Sequence, residues 1–141
     1  MGGEETFTQK LDSLFTISSE LDDNASVDIS GMIGQYAHGN EPSHHVAYMY
    51  SYAGKQYKTA PIIRTINNTL YTDQPDGLSG NEDCGQMSAW YIFSSIGFYP
   101  VNPTNGLYVF GSPLFDEVKK NLPQEKQFII KTENNSDSNI Y

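Results

Sequence analysis

Gly77-Leu78-Ser79-Gly80-Asn81-Glu82-Asp83-Cys84-Gly85-Gln86-Met87-Ser88-Ala89-Trp90-Tyr91 decides how the rest of the chain is read. Glycines bracket an acidic pair, and the chain then enters an apolar, aromatic-rich run. Glycine permits backbone shapes that other residues resist, so a carboxylate beside it is easily aimed. Met87 to Ile96 reads as a helix, with Trp90, Tyr91, Phe93 and Ile96 available for burial. Asp83 then sits at or near the helix start, where exposed backbone N–H groups favour negative charge. A second stretch, Gly39-Asn40-Glu41-Pro42-Ser43-His44-His45, repeats the plan of turn residues, an acid and a helix. Two polar helix mouths of this kind point to one site built from loops.

The 141 residues are one domain's length, with a formal charge of −9 from seventeen acidic and eight basic residues. No lysine or arginine cluster exists, which argues against nucleic acid and against an anionic membrane as partners. A cation or a neutral polar ligand suits the field better. Cys84 is the only cysteine, so no internal disulfide forms. Flanking acids disfavour its thiolate, and a small buried thiol is the ordinary reading. The first residues lack both a basic region and an apolar core, so no signal peptide is expected there. No apolar run reaches membrane-spanning length.

Outward from the central stretch, Phe7, Leu11, Leu14 and Phe15 recur at helical spacing and predict an amphipathic helix over residues 4–17. Asp28-Ile29-Ser30-Gly31 leads to a brief helix at Met32–Tyr36, weakened by its glycines. Pro42 and Ser43 open a helix with Val46, Ala47, Tyr50 and Ala53 on one side, closed by Gly54. Tyr57 to Leu70 predicts the next helix, in which Pro61 implies a kink or a later start. The short join suggests an antiparallel pair. Asp73 to Gly77 is a turn by composition, and Phe98 to Pro103 is extended or turning. Leu107–Phe110 and Gln127–Thr132 read as strands, while Leu114–Lys119 is ambiguous. Ile140-Tyr141 resembles the opening of one more strand. The fold class is therefore mainly α with a small β portion, divided as a helical part over 1–103 and a C-terminal β segment over 104–141. So few strands leave open edges and a poorly covered face, as in a piece of a larger protein.

Two constellations carry chemistry. Glu82 and Asp83 suit a general base that takes a proton from water; equally, they suit helix capping alone. Glu41, His44, His45 and Asn40 suit sugar hydroxyls or a metal; equally, an imidazole held in a packed layer. Adjacent histidines on a helix diverge by about a hundred degrees, so both would not readily ligate one ion. Neither a zinc motif nor an EF-hand loop is present. Asn40, Glu41, Asn81, Glu82, Asp83 and Gln86 offer oxygens that a hard cation such as calcium prefers. Asn24, Asn67 and Asn134 begin glycosylation-type triplets, which are frequent by chance.

At these residues the chain resembles the catalytic domain of the glycoside hydrolase family 92 alpha-mannosidases. The blocks are GNEPSHH at Gly39–His45, YAG at Tyr52–Gly54, PDGLSGNEDCGQMSAWY at Pro75–Tyr91, FSSIGFYPVNP at Phe93–Pro103 and YVFGSPLFDEV at Tyr108–Val118. With the tail QFIIKTENNSDSNIY, the resemblance covers roughly residues 25–141. It implies a calcium-dependent, exo-acting, inverting alpha-mannosidase of bacteria that degrade yeast mannan and host N-glycans. It also implies a parent protein that is secreted, periplasmic or at the cell surface. The architecture implied is a fragment of an (α/α)6 barrel followed by the first strands of a β-sandwich return, its partner being the missing remainder of both.

An inverting reaction sets an acid and a water-activating base about 6.5–9.5 Å apart. The resemblance assigns the base to Asp83, with Glu82 as its orienting partner. It places the acid in an earlier block of the EGNAWQY type, which this sequence lacks. Glu41 and Gln86 fall to Ca2+, which in the family grips the 2- and 3-hydroxyls of mannose. Asn40, Glu41, His44, His45 and Asn81 fall to the lining of the mannose site. The alternative is a non-catalytic carbohydrate-binding or structural remnant of such an enzyme.

Overall fold

The computed structural model describes residues 2–20 and 29–136. The triplet at Asn24 and the strand expected at Ile140-Tyr141 lie outside the described residues. The architecture is mixed: helices form the body, and three separate two-stranded ladders decorate it.

Helix α1 spans Gly3–Thr16 and buries Leu11, with Leu14 and Phe15 half-covered on the core side. Asp12 ties it down, accepting from Lys58 Nζ at 2.6 and 2.8 Å and from the Tyr50 hydroxyl at 3.0 Å. The brief helix expected at Met32–Tyr36 is instead a hairpin. Strand β1 (Met32–Ile33) pairs antiparallel with β2 (Tyr36–Ala37). Its turn lies against the end of α1, where Gln35 N–H donates to Leu14 O at 2.7 Å. A Cβ on Gly34 would lie 2.5 Å from that carbonyl, and its φ is +59°, so only glycine fits. This tertiary contact overrides the helical pattern.

The single helix expected to open at Pro42 and Ser43 is instead two 3₁₀ segments, Glu41–Ser43 and Val46–Ala53, the second closed at Gly54 as expected. Helix α2 spans Gln56–Thr69 and runs through Pro61 with no later start. It packs on the 46–53 segment, across the short join. Helix α3 spans Gln86–Ile96, and it buries Met87, Trp90, Ser94 and Ser95. Of the four apolar residues expected to be buried there, Trp90 is; Tyr91, Phe93 and Ile96 are half-exposed.

The core gathers Tyr36, Ala47, Tyr48, Ile63, Ile66 and Trp90. Beyond α3, β3 (Phe98–Tyr99) pairs with β4 (Val109–Phe110). The ambiguous Leu114–Lys119 stretch leads into β5 (Glu117–Asn121), which pairs antiparallel with β6 (Gln127–Lys131). Arg64 on α2 anchors this region, donating to Pro113 O and Asn135 Oδ1, each at 2.8 Å, and to Ser112 Oγ at 3.2 Å. Asn67 is buried on α2, so its glycosylation-type triplet is closed to modification.

Candidate active site

Two loops meet in front of Trp90, one over residues 38–45 and one over 77–86. Their meeting point is glycine on glycine: a Cβ on Gly80 would stand 3.1 Å from Gly39 O. A Cβ on Gly39 would collide with Ser30 Oγ and come within 2.6 Å of Ser79 O. Side chains at either position would hold the loops apart. Contact at this depth brings Glu41 to Asp83 across some forty residues of sequence.

The two carboxyl groups share a hydrogen bond. Glu41 raises the Asp83 carboxyl above its ordinary value, through that bond and through like-charge repulsion. Glu41 is correspondingly lowered, first by the Asp83 bond and then by one to its own backbone. Asp83 therefore gives up its proton at higher pH than an isolated aspartate. Its backbone is itself unusual: Asp83, Cys84 and Gly85 have φ of +46°, +57° and +88°. This left-handed run reverses the chain just ahead of α3 and costs strain at the two non-glycine positions.

Asp83 thus lies before the helix and its carboxyl does not cap it. Glu82 does, accepting from Ser88 N–H at 3.0 Å and from the Ser88 hydroxyl at 2.9 Å. The adjacent acids are divided in task, one toward the helix and one toward Glu41. Cys84, expected as a buried thiol, is exposed on the outside of the turn.

The histidines diverge as their spacing implies. His44 is buried and His45 exposed. His44 Nε2 donates to His38 O at 3.0 Å, its Nδ1 faces Gln86 Nε2 at 3.1 Å, and burial lowers its pKa. Trp90 Nε1 donates to His44 O at 3.1 Å, which locks the loop to α3. Glu41, His44, His45, Gln86, Trp90 and Tyr99 are among the residues lining an open cavity of about 370 Å³. Asn40 and Asn81 are exposed on the two loops and do not line it.

His38, Tyr36 and Tyr71 stand behind this cavity and escape a reading for motifs. The signal for two of them was period-2 alternation, since Tyr36 and His38 share one face of an extended segment.

The donor set fits a hard cation in kind: Glu41 and Gln86 offer carboxylate and amide oxygens. Among the described residues no three His, Cys, Asp or Glu side chains gather as a metal cage. Calcium takes six to eight oxygens, so amides, backbone carbonyls or further chain would complete the set.

The family model for the "Glycosyl hydrolase family 92 catalytic domain" matches residues 1–141. The chain belongs to this family of glycosidases. It is similar to the family GH92 alpha-mannosidase BT3965 of Bacteroides thetaiotaomicron, with 48% identity, a TM-score of 0.86 and 99% of this chain covered. The same enzyme in complex with mannoimidazole gives a TM-score of 0.90. It is similar also to the family GH92 inverting mannosidase BT2199 of B. thetaiotaomicron VPI-5482, with 39% identity, 96% coverage and a TM-score of 0.75. An uncharacterized secreted glycosidase of Arthroderma benhamiae is 33% identical over 85 residues, or 60% of this chain. The chain spans 18% and 20% of the two bacterial enzymes and 11% of the fungal protein.

Proposed function

We propose that this chain supplies the base side of an alpha-mannosidase site, hydrolysing terminal alpha-linked mannose from glycans such as N-glycans with inversion. The observation that carries the reading is the Glu41–Asp83 pair where two loops join: Glu41 lines the cavity with Trp90 and Tyr99, and Asp83 meets Glu41 outside that lining. Asp83 is the base: a carboxylate with a raised pKa takes a proton from water more readily than an ordinary one. Glu82 is its orienting partner, since fastening Glu82 to Ser88 fixes the turn that aims Asp83. Glu41, His44 and His45 would meet the sugar from the cavity wall, and Asn40 and Asn81 from the loop surfaces outside it. Glu41 and Gln86 would hold calcium, whose bound charge would polarise mannose hydroxyls and stabilise Asp83 in its ionised form.

In this reading the chain is part of an (α/α)6 barrel up to residue 103, and from 104 it returns into a β-sandwich domain. Further polypeptide supplies the general acid and completes the calcium cage. The whole protein works outside the cytoplasm, where mannose-rich glycans are met. The mannoimidazole complex of one relative and the inverting mannosidase activity named for another support this assignment.

The test is Asp83→Asn in the complete protein, with an aryl alpha-mannoside as substrate. Removing a general base lowers turnover by about 10²–10⁴-fold, with calcium-dependent thermal stability retained. Unchanged turnover in the folded variant rejects Asp83 as the base.

A further inference from the structure

Behind the cavity lies a chain of hydrogen-bonded polar atoms that ends on a backbone carbonyl. His38 is fully buried, with Tyr36 Oη 2.8 Å from its Nδ1 and Tyr71 Oη 2.6 Å from its Nε2. The Tyr71 hydroxyl donates to Met87 O at 3.3 Å, in the first turn of α3. Tyr71 Oη is then the acceptor for His38 Nε2–H, and His38 Nδ1 accepts from Tyr36 O–H. Burial opposes a second proton on this ring and lowers its pKa to about 3.

The same residue fixes its neighbour. A carbonyl oxygen only accepts, so His44, bonded to His38 O, carries its proton on Nε2. His44 Nδ1 is left as an acceptor, and the His38 ring stacks on the His44 ring at 4.7 Å, restricting its rotation. The group facing Nδ1 is the Gln86 amide nitrogen, which only donates. That nitrogen also faces Tyr99 Oη at 3.3 Å. Both amide hydrogens are spent inward. Among the described residues no group donates to Gln86 Oε1, on a side chain that lines the cavity.

We propose that His38 is a positioning residue: its main-chain carbonyl fixes the His44 tautomer, its ring, held between Tyr36 and Tyr71, keeps the stacked His44 ring in register, and His44 turns Gln86 so that its carbonyl oxygen is the acceptor offered to the ligand. The amide of a glutamine is symmetric in shape, so without this relay it presents a donor as readily as an acceptor. The proposal deepens the mannosidase reading and rests on it for the identity of the ligand.

Two measurements on the complete protein test it. In the first, ¹⁵N-histidine labelling and two-bond ¹⁵N–¹H correlation report each tautomer, with His38→Gln and His44→Gln assigning the signals. Both rings are expected neutral and protonated on Nε2; a His44 found charged or protonated on Nδ1 near neutral pH overturns the relay. The second compares His38→Gln with His38→Phe on an aryl alpha-mannoside. Glutamine can still accept from Tyr36 and donate to Tyr71, whereas phenylalanine keeps only the ring contacts with His44 and Trp90. KM is expected to rise about tenfold in His38→Phe and less than about threefold in His38→Gln, kcat changing less than KM. The reverse ranking, or equal losses, makes His38 a packing residue and overturns the proposal. If His38→Phe does not fold, the tautomer measurement decides alone. Expected tautomers in a wild-type protein that does not cleave the mannoside leave the relay standing and reject the mannosidase reading.

Discussion

Around Trp90 the protein buries a hydrogen-bonded set of polar groups, while the C-terminal ladders hold apolar side chains in the open. His38, His44, Tyr36, Tyr48 and Ser94 are all buried, and every one of them is hydrogen-bonded. Phe110 is 69% exposed, Phe128 49% and Ile129 44%, on ladders of only two strands. With Phe93, Ile96 and Tyr108, Phe110 and Phe128 line an apolar groove of about 410 Å³. The first region is finished by its own contacts; the second is not. Site geometry is therefore a property of the helical body, and the ladders contribute to it little beyond Tyr99.

The comparison breaks most visibly at Trp90. Its ring meets the edge of His38 at 4.4 Å, lies parallel to Tyr71 at 6.0 Å, and its N–H holds His44 O. Trp90→Ala leaves a cavity and an orphaned carbonyl, at a cost of about 3–5 kcal/mol. Chemical denaturation of the complete protein measures it, and a loss below about 1 kcal/mol would mean that this layer is not the core.

A smaller loss is expected where the loops join. Gly39→Ala inserts a methyl against Ser30 Oγ and Ser79 O, an overpacking cost of about 1–3 kcal/mol. Because the clash parts Glu41 from Asp83, activity should fall further than stability does. Equal melting temperatures with full turnover would show that the glycine contact is dispensable.

Acid probes the buried layer more gently. The folded-state pKa of His38 is lowered from 6.5 to about 3, so between these values the unfolded chain binds a proton that the folded protein refuses. Stability from this residue is fully present above pH 6.5 and declines as the pH falls toward 3. Between pH 6.5 and pH 5.5 the decline is about 1 kcal/mol. His38→Gln removes that slope, and a wild-type denaturation midpoint equally steep in both proteins would assign the acid sensitivity elsewhere.

How much of this was legible follows from where each determinant lies. The helices α1, α2 and α3 announced themselves because their apolar residues recur every three or four positions within one segment. The hairpin at Met32–Ala37 did not, because its turn is set by the backbone of Leu14, far away in sequence. Periodicity also fails to separate a 3₁₀ from an α-helix over Val46–Ala53, since the same side can be buried in both. Glu41 and Asp83 were visible as separate acids. Their pairing depends on Gly39 meeting Gly80, a contact that neither stretch reveals alone. His38 carries no motif and became visible only when the strand placed it beside Tyr36.

The least effect is expected on the open face, and there it is the smallness that informs. Phe128 sits on β6 opposite Lys120, with half its surface in water. While that face stays exposed, Phe128→Ser removes little buried area and changes stability by no more than about 0.5 kcal/mol. In the 141-residue chain this is the expected result by urea denaturation, whatever its absolute stability. Fully burying a phenylalanine contributes about 1.5–3 kcal/mol. A change of that size in the complete protein, with none in the short chain, would mean that further polypeptide covers the groove. The same large change in both would mean that the ladders bury Phe128 themselves, and the contrast with the Trp90 layer would fail.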